Sequence, residues 1–207
     1  MKAGIRRVHY PVKTLGPGKR IGIWFEGCSL RCKGCLFEDN WEFSSSPQEL
    51  GGVLESIFPF IKEADGITIT GGEPFDQKEA LLEMLAAIKK ISRTNILLFT
   101  GYEPQELCGK LNPDLYTRYL DAMICGRYDK NAPQTMRLRG SDNQKLYMFS
   151  DAGRKLFAGY DRPRAGEKKE IDIMFDETGN FWFAGIPSRE DAAKIRAAVK
   201  KSGEKIL

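Results

Sequence analysis

Residues Ile21-Gly22-Ile23-Trp24-Phe25-Glu26 run directly into Gly27-Cys28-Ser29-Leu30-Arg31-Cys32-Lys33-Gly34-Cys35. The first six read as a buried strand, being apolar and rich in Ile and aromatics. The rest is a Gly- and Cys-rich loop extending to about Asn40. Working outward, residues 66–70 (GITIT) are a second, β-branched strand that runs into Gly71-Gly72-Glu73-Pro74. Residues 95–100 (NILLFT) are a third strand followed by Gly101, and 121–125 (DAMIC) a fourth. Between them lie helical patterns. Ser46 as cap, Pro47 at the first position and Glu49 closing a capping box predict a helix to about Ile61, disturbed at Pro59. Asp76 with Glu79 predicts a second capping box ahead of Ala80, Leu81, Leu85 and Ile88 at helical spacing. A short helix begins near Pro104. Alternating strands and helices predict a parallel α/β sheet, open or barrel-like.

Past Cys125 the pattern loosens. Residues 126–144 read as a long basic loop, 145–150 (KLYMFS) as a fifth strand, and 159–169 as a linker or surface loop. Residues 170–175 and 180–186 flank Asp176-Glu177-Thr178-Gly179 as a hairpin. Ser188 caps a terminal helix to about Lys201. In parallel α/β folds ligands bind at the carboxyl ends of the strands. The Cys loop, Gly71–Pro74, Thr100-Gly101-Tyr102 and Cys125-Gly126-Arg127-Tyr128 all follow strands, so they are expected to converge on one edge.

Composition narrows the class. Hydrophobic residues are 42% and charged residues 29% of 207, which excludes wholesale disorder. No apolar run approaches the roughly 20 residues of a membrane span. MKAGIRRVHYPVK has no apolar core behind its charges, so no secretory signal is expected. A net charge of +4 does not call for nucleic acid. The expectation is a cytoplasmic protein with neither membrane nor nucleic-acid partners. Five cysteines, an odd number in a chain of this length, argue against a disulfide scaffold.

Cys28, Cys32 and Cys35 fall in one loop, and thiolates bind zinc and iron–sulfur clusters. Structural zinc takes four ligands, usually as two separated pairs. Three thiolates on a four-iron cube leave one iron open to substrate. A zinc knuckle or buried thiols is the plain alternative, as a tight strand-to-helix turn is for Gly71–Pro74. Cys108 and Cys125 read as small, partly buried residues, and His9, the one histidine, as structural or exposed. Arg127, Lys130, Arg137, Arg139 and Lys145 are a solvated loop, a docking surface or a lid. Trp24 and Phe25 belong to the core. Trp182 and Phe183 alternate on the hairpin, so one is expected to face in and one out.

The C-x3-C-x2-C spacing is that of radical S-adenosylmethionine (SAM) enzymes. The stretch GKRIGIWFEGCSLRCKGCLFEDNWEF resembles the opening of glycyl-radical activating proteins, above all that of the anaerobic ribonucleotide reductase. Lys33-Gly34 between the last two cysteines and Gly16-Pro17-Gly18 fit that subgroup. Gly71–Pro74, Thr100-Gly101-Tyr102 and Arg139-Gly140-Ser141-Asp142-Asn143-Gln144 extend the likeness over about residues 14–148. The sequence departs from it in three places. Leu36 stands where activases often carry His or Asn, Cys125 where an acidic residue precedes the Gly, and residues 149–207 extend beyond the compact activating proteins.

The resemblance implies an incomplete parallel (β/α) barrel of radical SAM type over residues 1–150, with a hairpin-and-helix extension over 151–207. It implies that Cys28, Cys32 and Cys35 hold a 4Fe–4S cluster whose fourth iron is chelated by SAM. Gly71, Gly72 and Glu73 would receive the methionine amino group, backbone near Gly34, Cys35 and Leu36 would border the adenine, and Thr100 and Tyr102 would line the ribose side. An electron from the cluster, supplied by a donor such as flavodoxin or ferredoxin, would cleave SAM to a 5′-deoxyadenosyl radical. That radical would abstract hydrogen from a glycine of a partner enzyme, such as the anaerobic reductase. The alternatives are a stand-alone radical SAM enzyme acting on a peptide or small molecule, and a metal-binding interaction module without catalysis.

Overall fold

The computed structural model describes residues 1–164, 166, 169–175 and 181–202. Its centre is a six-stranded sheet. Four strands are parallel neighbours: β3 (Arg20–Phe25), β5 (Gly66–Gly71), β6 (Asn95–Thr100) and β7 (Ala122–Cys125). The antiparallel edge strands are β2 (Ile5–Val12) beside β3 and β8 (Lys145–Met148) beside β7. Lys2–Ala3 (β1) pairs with Gln48–Glu49 (β4) in a separate two-stranded ladder. The fold is thus α/β with a mostly parallel sheet, as expected.

Both faces of the sheet are covered, which is why its strands read as continuous apolar runs rather than alternating ones. Ile21, Ile23 and Phe25 of β3, Ile67 and Ile69 of β5, and Ile96 and Leu98 of β6 form one cluster. They pack there with Leu50, Val53 and Ile57 of α1 (Leu50–Ile57) and with Leu81, Met84, Leu85 and Ile88 of α2 (Lys78–Ile91). Each such buried side chain contributes about 1.5–3 kcal/mol. The alternate residues point the other way. Trp24 packs with Met174, Trp182 and Ala184 of the C-terminal hairpin. Leu97, Ala122 and Ile124 pack with Leu138, Leu146 and Phe157. Two short helices, α3 (Pro104–Cys108) and α4 (Asp114–Thr117), lead from β6 to β7. The Glu103–Glu106 capping box starts α3.

Several expectations need correction. The helix after the Cys loop begins at Leu50, not at Ser46, because the backbone of Gln48 and Glu49 is engaged with β1. It ends at Ile57, ahead of Pro59. Asp76 caps nothing: a 3₁₀ turn, Pro74–Gln77, precedes α2, and Asp76 turns instead toward Ser29 and Tyr102. The edge strand β2 was hidden by its charges, Arg6 and Arg7. The helix α5 (Asp151–Phe157) is a further element without an expected counterpart, although its cap Ser150 accepts a bond from Gly153 N and is a recognisable signal.

The hairpin of β9 (Ile171–Phe175) and β10 (Phe181–Gly185) is present, and its expected turn, 176–179, lies outside the described residues. Trp182 and Phe183 are both buried, at 6% and 2% exposure, against the expectation of one outward face. Trp182 enters the sheet-side cluster, and Phe183 meets Val199 of the terminal helix α6 (Arg189–Ser202) together with Leu36 and Phe37. Ser188 caps that helix, accepting from Asp191 N at 3.0 Å.

Candidate functional site

The carboxyl edge of the four parallel strands is where the expected loops meet. The Cys loop is closed at its base, with Gly27 N donating to Asn40 O at 3.1 Å and Cys28 N to Trp41 O at 2.9 Å. It is tied to the next strand's turn. Gly72 N donates to Phe25 O at 2.7 Å and Glu73 N to Gly27 O at 2.8 Å. Gly71 has φ +109°, and a Cβ on Gly72 would stand 2.0 Å from Gly27 O. These glycines are therefore demanded by backbone against backbone, before any ligand is considered.

Beneath the loop lies a cavity of about 410 Å³, within the range of small-molecule sites. Cys28, Cys32, Cys35, Gly34, Leu36, Gly71, Gly72, Glu73 and Thr100 all line it. All three cysteines are unpaired and partly buried. Burial pushes the Cys28 and Cys35 thiols up, against which backbone donors and the Trp41 indole lower Cys35. Among the described residues no three His, Cys, Asp or Glu side chains are grouped to hold a single ion. Each thiolate of a four-iron cube binds a different iron, so a cluster-holding trio needs no such convergence. The donor set fits the cluster in a second respect. The buried Nε1–H of Trp41, on the cavity wall, lies beside the Cys35 thiol, where a cluster-bound thiolate is the stronger acceptor.

Glu73 is 1% exposed and fully engaged. Its Oε1 accepts from Phe75 N at 3.0 Å and from Thr100 Oγ1 at 2.8 Å, and its Oε2 from Gly101 N at 2.7 Å. Burial raises its pKa to about 7, against the pull of those donors. The carboxylate therefore fastens the β5 turn to the end of β6. Tyr102 does not reach the cavity. It is 5% exposed, and its hydroxyl donates to Asp76 Oδ1 at 2.7 Å. Asp76 in turn accepts from Ser29 N at 2.7 Å and from Ser29 Oγ at 2.9 Å. Tyr102 thus braces the Cys loop from behind, a place that its neighbourhood to Gly101 in sequence could not reveal.

The basic segment is solvated in part, with Arg127, Lys130 and Lys145 exposed and Arg139 buried. Gly126, Tyr128, Lys130, Gln134, Leu138, Gly140 and Gln144 line the cavity. Arg127 forms a two-point pair with Glu106 at 2.7 and 2.8 Å, and Arg139, 2% exposed, pairs with Asp161 at 2.5 Å. Cys125 is buried as a small core residue, while Cys108 is exposed rather than partly buried. His9 sits edge-on to Trp182, with its pKa lowered by burial and by Arg7. Sequence reasoning missed Trp41, Asp76 and the cavity wall from the C-terminal helix. Only Trp41 gave a signal, an aromatic close behind the last cysteine. No helix among the described residues is long and apolar enough to cross a membrane.

Comparisons with known proteins cover much of this chain. The anaerobic ribonucleoside-triphosphate reductase-activating protein of Enterobacteria phage T4 is 28% identical over 141 residues, 66% of this chain and 88% of its own length. That of Vibrio cholerae is 28% identical over 151 residues, 69% of this chain and 96% of its own. The pyruvate formate-lyase-activating enzyme of Clostridium pasteurianum is 34% identical over 92 residues, 42% of this chain and 39% of its own. The likeness to glycyl-radical activating proteins is thereby borne out. The 4Fe-4S single cluster domain matches residues 14–147, from the turn ahead of β3 into β8, with the three cysteines and the whole strand-end edge inside it. The chain belongs to the 4Fe-4S single cluster domain family.

Proposed function

We propose that this enzyme cleaves SAM reductively and installs a glycyl radical on a partner enzyme, with an anaerobic ribonucleotide reductase as the leading partner and a flavodoxin or ferredoxin as electron donor. One observation carries the reading: three unpaired thiols and the Gly71–Glu73 turn face one cavity at the carboxyl edge of four parallel strands. The parallel strands also support the partial-barrel reading, with residues 1–150 as core and 151–207 as extension.

When bound, the cluster supplies the electron that breaks the S–C5′ bond of SAM. Cys28, Cys32 and Cys35 hold it. Backbone of Gly71 and Gly72 receives the methionine amino group, with Glu73 holding the turn in place and adding negative charge behind it. Gly34 and Leu36 border the adenine, and Thr100 lies toward the ribose with its hydroxyl committed to Glu73. The loop 126–144 closes the far side against water.

The test is anaerobic reconstitution with iron and sulfide, then dithionite and SAM, with 5′-deoxyadenosine quantified. Wild type is expected to form it, and Cys32→Ala to lose both iron and product. Bound zinc without product, or full iron and turnover in Cys32→Ala, would overturn the reading. Adding a reductase and recording a glycyl-radical resonance tests the partner.

A further inference from the structure

The C-terminal unit lies beyond the matched segment, yet it builds one wall of the cavity through Ile186, Pro187, Arg189, Ala192, Ala193 and Arg196. It is fastened on two sides. Toward the basic loop, Gln134 Nε2 donates to Pro187 O at 3.0 Å, and Arg189 donates to the carbonyls of Asp129 and Ala132. Toward the Cys loop, Arg196 donates to Gly34 O at 3.0 Å and to Cys35 O, with Glu38 at 4.0 Å. Phe37 stacks on Phe183 at 5.2 Å, and Leu36 and Ile195 join the same apolar cluster.

We propose that Arg196 is a positioning residue for the Cys loop, and that the hairpin and α6 form a clamp built into the chain across the cavity rim. Gly34 and Cys35 form the tight turn that carries the third thiol, with Gly34 at φ +84°. Two successive carbonyls at such a turn find no partner in a helix or sheet ladder. One guanidinium nitrogen, Nη2, meets both at once, its two N–H bonds held in a fixed plane that a freely rotating lysine ammonium lacks. The side chain also brings a positive charge to the backbone of a cluster ligand. It thereby acts on the electron-rich site through the loop without touching the reacting atoms. The inference rests on the cluster reading for its purpose but not for its test.

The first measurement is amide hydrogen exchange on the metal-free protein. In Arg196→Ala, exchange at residues 34–38 is expected to rise about tenfold or more while α6 keeps its protection. Arg196→Lys, which keeps the charge and the stem, should fall between wild type and Ala, and it serves if the Ala variant does not fold. Lys194→Ala, on the same helix with Glu190 as its partner, should match wild type. After reconstitution, iron release to a chelator should quicken about tenfold in Arg196→Ala. Wild-type exchange at 34–38 in both Arg196 variants would overturn the proposal. So would equal acceleration across α6 and the loop, which would reduce Arg196 to a helix-docking residue. A chain that binds zinc or no metal would defeat the cluster reading and leave the exchange result standing.

Discussion

Thr100 Oγ1 donates a 2.8 Å hydrogen bond to Oε1 of Glu73, joining the end of β6 to the turn after β5 under the cavity. Both groups are buried, so the carboxyl loses water on folding and its pKa rises from 4.5 to about 7. An acid whose folded pKa is raised binds more protons in the native state. Its contribution to stability is therefore largest below the unfolded value and is lost as pH rises through the folded one. Between pH 4.5 and about 7 this amounts to about 3 kcal/mol. In Glu73→Gln that part of the pH slope is expected to vanish, with stability at acid pH lower by about 1–2 kcal/mol because one donor loses its acceptor. Denaturant unfolding at several pH values checks it; an unchanged slope would show that the group is not the titrating one.

Gly72→Ala should be severe. Its Cβ would stand 2.0 Å from Gly27 O, backbone that cannot move without opening the base of the Cys loop. A loss of about 3 kcal/mol is expected, together with weakened iron uptake. Gly51→Ala is the contrast. Nothing lies within 4 Å of its Cβ, and it sits in α1, so a gain of about 0.5–1 kcal/mol is expected. Thermal melts of the two variants would show opposite signs.

Trp41→Phe removes the buried indole N–H on the cavity wall beside Cys35. Hydrogen bonds to cluster sulfurs raise the reduction potential. The loaded variant should have a midpoint lower by about 40 mV, the one-electron equivalent of a hydrogen bond worth about 1 kcal/mol. A redox titration followed by electron paramagnetic resonance reads this, and an equal potential would place the indole N–H away from the sulfurs.

Cys108 and Cys125 should separate cleanly on alkylation. Cys108 is exposed, while Cys125 is buried in β7 with its pKa pushed up by burial. Iodoacetamide applied to the native protein should label Cys108 and spare Cys125 until denaturant is added. Labelling of Cys125 at the rate of Cys108 would contradict the packing of β7.

The sequence by itself determined the four parallel strands and their order along the chain, the α/β class and the three thiols of one loop. Apolar runs, caps and a dense cysteine spacing are local signals, written within a few residues of one another. The charged edge strand β2 escaped because its burial depends on Trp182 stacking beneath Arg7 at 3.7 Å, a contact between distant residues. Tertiary structure alone decided the rest. It drew Tyr102 away from the cavity to Asp76 and Glu73 into a closed set of donors, and it laid Arg196 across the carbonyls of Gly34 and Cys35. A side chain's type states which bonds it can make. Which partner it meets depends on how the strands and the terminal helix pack, and residues 34 and 196 share no local pattern that foretells it.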